Sequence, residues 1–247
     1  MYQDNQKITK LKFIIDQEYD AYKIYEMLME QEESIAKYQS EEMEIDFSFA
    51  LKISQAKDYW EVKKDIEKVV KQRYKILLKY LKKSSISYQQ SWDEINNHFF
   101  QRLASLTKFP IQHHLFYCVV SAFNPGISNW GGNKIVRRWN YNLFTQRRIT
   151  AHEIIISHIF SLMKSRYPNK LSDQQIWQLA EISAFIFTGL DPVMKSFWPW
   201  DNYGAYTDHN YPQIVSLQKK LVKIYLNEGF SAIIEKGLKM LTKQDML

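Results

Sequence analysis

The chain has 247 residues, 45% hydrophobic and 15% aromatic, with only 7 Gly and 6 Pro, a composition that excludes collagen-like, low-complexity and disordered classes. Its 33 basic and 27 acidic residues give a net charge of +6. No apolar run approaches the roughly 18 residues of a membrane-spanning helix, the start MYQDNQKITK lacks the apolar core of a secretory signal, and the single Cys118 excludes an intramolecular disulfide framework and a cysteine-based zinc knuckle. These features point to a cytoplasmic, mostly helical protein.

Residues 3–38 and 48–83 carry apolar side chains at three-to-four spacing, among them Ile15, Tyr19, Tyr22, Tyr25 and Met29, then Val70, Tyr74, Leu77 and Leu81. That is the helical period. Residues 16–46 hold 11 acids and 2 lysines, whereas 52–83 hold 11 bases and 4 acids, which reads as an antiparallel pair of oppositely charged helices. Ser91, with Glu94 three residues on, predicts the N-terminus of a third helix ending near Thr107. This region, 1–108, is expected to be helical and electrically neutral.

After Pro110 the texture changes. Leu115–Val120 is a short aromatic and β-branched run, the pattern of a buried strand, and Lys134–Trp139 reads as a second, half-exposed strand. Thr150 with Glu153 at the capping-box offset predicts a helix ending near Lys164–Arg166, and Ser172 caps another that runs to about Thr188 and stops at Gly189. A long loop opens with Phe197-Trp198-Pro199-Trp200, and Ile214–Tyr225 and Ser231–Thr242 close the chain as helices. The fold class is therefore α+β and mostly α-helical: a helical region at 1–108, then at 109–247 a small β-element and several helices.

The chemistry-bearing pattern is Thr150-Ala151-His152-Glu153-Ile154-Ile155-Ile156-Ser157-His158. At about 100° per residue, Ile155, Ile156, Ile159 and Met163 lie within about 60° of His152, which places His152 on the apolar, inward side. His158 falls about 120° around and about 9 Å along the axis, with Ser157, Ser161 and Ser165 on the polar side. In the next helix Glu181 sits between Trp177 and Phe185 on a segment apolar around most of its circumference, so its carboxylate needs a partner. A helical hairpin turning near Pro168 and Asn169 would bring Glu181 within a turn of His152.

Over about residues 115–190 this pattern resembles the gluzincin branch of the zinc metallopeptidases (zincins), whose active-site helix carries His-Glu-x-x-His and whose next helix supplies a Glu ligand. The resemblance implies zinc held by His152 and Glu181, Glu153 as general base, and a peptide or protein substrate. The chain departs from the pattern at Ile156, where the second histidine belongs. His158, His209 and Asp208 are candidates to complete the ligand set, with His113-His114 a weaker option. Two other readings compete: an interaction module that uses the charged N-terminal helices, and a nucleic-acid binder that uses Arg137, Arg138, Arg147 and Arg148. A solvated face is the simpler reading of those arginines, and an inert buried thiol that of Cys118. No membrane partner is expected, and nucleic acid is the less favoured of the alternatives.

Overall fold

The computed structural model describes residues 9–123, 130–199 and 211–244. Its centre is a three-stranded, wholly parallel sheet in the order β1 (Lys10–Ile14), β2 (Leu115–Ser121), β3 (Lys134–Arg138). The first strand falls inside the stretch 3–38 expected to be one helix. Leu11 and Phe13 are buried between exposed Lys10 and Lys12, a period of two that the helical spacing of the tyrosines downstream had hidden. That stretch then forms α1 (Gln17–Leu28) and α2 (Glu33–Met43), separated by a turn at Glu30, whose φ is +57°.

The basic stretch also divides. A short α3 (Phe47–Ser54) precedes α4 (Tyr59–Asp93), a helix of 35 residues capped by the Asp58 carboxylate. Helix α4 runs on past residue 83, the end of the periodic stretch 48–83, to Asp93. Ser91 lies buried inside its last turn rather than capping a new helix, and α5 (Asn96–Thr107) starts after Ile95. Helix α1 packs along α4, where the Tyr74 hydroxyl donates to Asp20 Oδ2 at 2.8 Å. Arg73 of α4 and Arg138 of β3 both pair with Glu44, at the end of α2.

The register places Leu11, Phe13, Phe116, Cys118, Val120, Ile135 and Arg137 on one face of the sheet. There Phe13 meets Tyr88 of α4, Phe116 stacks on Phe100 of α5 with centroids 5.8 Å apart, and Cys118 lies against Gln146 of α6 (Leu143–Arg166). The opposite face is covered by α1, whose Tyr19 hydroxyl donates to the Lys134 carbonyl at 3.3 Å. Helices on both faces suit a parallel sheet, whose strands carry apolar side chains on each side.

Helix α6 begins at Asn142, whose side chain accepts from the Thr145 amide at 2.9 Å. Thr150 is therefore not the N-cap expected there but a buried mid-helix residue that accepts from Gln146 Nε2 at 3.0 Å, and Glu153 is not a capping-box partner. The chain turns back at Asn169 (φ +62°) into α7 (Asp173–Leu190), which Ser172 and Gln175 start with a reciprocal capping box. Helices α6 and α7 form the helical hairpin. Pro192 begins α8 (Pro192–Ser196), and α9 (Pro212–Glu228) and α10 (Phe230–Gln244) close the fold. The architecture is mostly helical α+β, and no helix among the described residues is long and apolar enough to cross a membrane.

Candidate functional site

The centre of the candidate site is the contact between α6 and α7. His152, 8% exposed, points inward as its helical position requires, and its Nε2 lies 3.1 Å from Glu181 Oε1. The Phe185 ring stands edge-on to the imidazole, with centroids 4.7 Å apart. Glu181, 5% exposed, thus has the partner that its apolar surroundings demand. One turn before Glu181, Trp177 stacks on Trp130 at 5.9 Å and meets the edge of Tyr211 at 4.9 Å. Burial and the nearby Glu181 carboxylate together raise the Tyr211 phenol above its ordinary range.

Glu153 faces the sheet rather than solvent. Its Oε1 forms an ion pair with Nη2 of Arg137, which rises from β3. Burial pushes the Arg137 guanidinium down to about 10, against the opposing pull of Cys118, Tyr141 and Glu181, and its Nε has no hydrogen-bond partner among the described residues. Arg137, Glu153, His152 and Glu181 therefore form one polar cluster, buried except for the partly exposed Glu153, reaching from the sheet through α6 to α7. It lies toward the carboxyl end of β3, the end at which parallel sheets present ligand sites.

His158 departs from expectation. It is not on a polar outer side: at 1% exposure it is fully buried, with Nε2 3.1 Å from Thr107 Oγ1 of α5. Over the turns around His158, helix α6 is enclosed by the sheet and α4 on one side and by α7 on the other, so Ser157 and Ser161 bond to protein, while Ser165 near the helix end is exposed. Ser157 donates to the Gly132 carbonyl. Burial pushes the His158 imidazole down to about 4. His152 and His158 point to separate surroundings, as their angular offset requires, and share no site.

His113 Nε2 lies 2.9 Å from the Gly131 carbonyl, and its ring packs on Phe116. His209 and Asp208 lie outside the described residues, as does Trp200. Among the described residues no group of three His, Cys, Asp or Glu side chains converges. The pair that does converge, an imidazole nitrogen and a carboxylate oxygen, consists of donor types that zinc accepts, and its 3.1 Å separation is that of a hydrogen bond. Two donors fall short of the three protein ligands a zinc site needs, and Ile156, one turn on from His152, supplies no third.

The arginines expected on a solvated face are largely interior. Arg137, Arg147 and Arg148 are all buried. Arg147 donates to Ser91 Oγ at 2.7 Å and to the Phe197 carbonyl at 3.2 Å and pairs with Glu94. These side chains lock helices together instead of forming an exposed basic surface. Phe197 and Trp198 cap the core, Trp198 Nε1 donating to the Thr188 carbonyl at 3.1 Å. Burial pushes the Cys118 thiol up to about 12, leaving an inert buried sulfur.

Of the neighbourhood, Tyr211 has no place in the sequence reading, and Arg137 has one only as a nucleic-acid contact, not as the partner of Glu153. The signal for Arg137 was the alternation Ile135–Arg137 in the strand Lys134–Arg138, which puts a cation on the face that also carries Cys118. For Tyr211 the sequence carried none. No family model, curated protein or solved structure matches the chain.

Proposed function

We propose that the chain is a metal-dependent hydrolase of the zincin kind, acting on a peptide or protein substrate. The observation that carries the proposal is the 3.1 Å approach of His152 Nε2 to Glu181 Oε1 across the α6–α7 hairpin, with Glu153 next to the histidine. His152 and Glu181 would hold the metal, which would supply a Lewis acid able to acidify a bound water. Glu153 is the proton acceptor of the site. Arg137 orients its carboxylate from the sheet, and the pair keeps the acceptor in one position instead of sweeping solvent. Buried Trp177, one turn before Glu181, covers one side of the site, with the more exposed Trp130 and Tyr211 packed against it.

A second reading, a catalytically silent member of the same fold, is supported by Ile156 at the missing-ligand position and by Glu153 already neutralised by Arg137. One experiment separates the two. The chain, purified without a histidine tag, is assayed for bound metal and for peptide hydrolysis. Near-stoichiometric zinc that His152→Ala abolishes, with hydrolysis that Glu153→Gln removes while zinc is kept, supports the hydrolase. Zinc without hydrolysis supports the silent scaffold. A metal-free chain whose thermal midpoint is unchanged by chelator overturns both and leaves His152–Glu181 as a structural hydrogen bond.

A further inference from the structure

Helix α4 presents two unlike faces. One, with Ile66, Val70, Tyr74, Leu81 and Tyr88, is buried in the core. On the other, Ile76, Tyr80 and Ile86 are 74%, 54% and 59% exposed, and Lys75, Lys79 and Lys83 stand exposed among them. At about 100° per residue these six side chains fall within an arc of about 140° and span about 17 Å of the helix. No acidic residue occurs between Glu67 and Asp93, and the three lysines have no ion-pair partner among the described residues. The carboxylates of α1 and α2 do not neutralise this row, so it is a basic, apolar strip along an exposed rod.

We infer that the outer face of α4 docks on an anionic lipid bilayer. Exposed lysines in a row attract a negatively charged leaflet, and isoleucine and tyrosine between them enter the boundary between headgroups and acyl chains. Such peripheral contact needs no spanning helix. The isoleucines favour lipid over nucleic acid, because a phosphate backbone binds the lysines and gains nothing from an exposed aliphatic side chain. The core face fixes the helix as a rod, so docking needs no refolding.

The test is co-sedimentation of the full chain with vesicles of phosphatidylcholine alone or with about 30% phosphatidylglycerol. Binding is expected only to the anionic vesicles, falling steeply with salt. Replacing Lys75, Lys79 and Lys83 together by Ala lowers it about 100-fold, at about fivefold per lysine, and I76S/I86S lowers it about tenfold or more at constant charge. Thermal midpoints confirm that both variants fold, and the salt dependence of the unsubstituted chain stands as a readout of its own. Equal binding to neutral vesicles, or none to anionic ones at low salt, overturns the inference. So does tight binding to single-stranded DNA that I76S/I86S retains in full while vesicles fail to bind, which assigns the strip to nucleic acid. Self-association abolished by the lysine variant, again without vesicle binding, assigns it to a second copy of the chain.

Discussion

Glu181 is a carboxylate embedded among Trp177, Ile182 and Phe185, and its nearest partner is one imidazole 3.1 Å away. Removing that imidazole strands the acid in a dry interior, so His152→Ala should cost about 3 kcal/mol in urea-induced unfolding. The double variant His152→Ala/Glu181→Ala should cost less than the sum of the single ones by about 1–3 kcal/mol, the mark of direct coupling. Two other buried groups act oppositely on pH dependence. His158 is held down to about 4 in the fold, so its stabilising contribution is complete above its unfolded value of about 6.5 and is lost as pH falls toward 4. Asp20 is raised to about 6, burial outweighing its hydrogen bonds from Tyr74 and the Ala122 amide. Its contribution is complete below about 3.9 and is lost as pH rises through 6. Each is on the order of 3 kcal/mol, and between pH 4 and 6.5 they offset. Asp20→Asn should therefore expose the histidine effect, with stability measured by urea dropping steeply from pH 6.5 to 4, whereas His158→Gln should become more stable over the same fall.

Among the elements, those with a local start signal were legible and those defined by distant partners were not. Ser172 with Gln175 announces α7 because the cap is made within four residues of chain. The inward placement of His152 and the need of Glu181 for a partner follow in the same way from helical geometry and apolar neighbours. The start of α6 shows the converse: Thr150 and Glu153 reproduce the spacing of a capping box, yet the helix had begun two turns earlier at Asn142. Asn142→Ala should lower stability by about 1 kcal/mol, as loss of an N-cap does, read as a shift in the urea midpoint at constant slope. His158 was misplaced because its serine neighbours suggested water, whereas Ser157 and Ser161 donate to the Gly131–Gly132 turn before β3 and His158 itself meets Thr107 of α5. The Arg137–Glu153 ion pair joins a strand to a helix and leaves no mark in either segment alone.

On the scale of the whole molecule, the sheet decides what can be separated. Strand β1 belongs to residues 1–108, but its hydrogen-bonding partner β2 belongs to 109–247, and Lys10 pairs in register with Leu115. Arg147 fastens α6 to Ser91 and Glu94, and His158 of α6 meets Thr107. Residues 1–108 and 109–247 produced separately should each fail to give a cooperative thermal transition, and mixing them should restore one if the shared sheet reassembles. The composition and the helical period disclosed the dominant class, but the parallel pairing was invisible because the partners of β1 lie about a hundred residues away.

That separation also sets an order of events at the ribosome. With Leu115 its first register partner, the opening strand leaves the exit tunnel long before the segment that will hydrogen-bond to it has been translated, a delay of some 5–20 s at about 5–20 residues per second. Throughout that interval Leu11 and Phe13 have no sheet to join, while helices α1 to α5 can already form from local contacts. Nascent chains halted before residue 115 should accordingly be sticky and engage trigger-factor-like holdases, whereas chains halted after α7, with all three strands outside the tunnel, should let go.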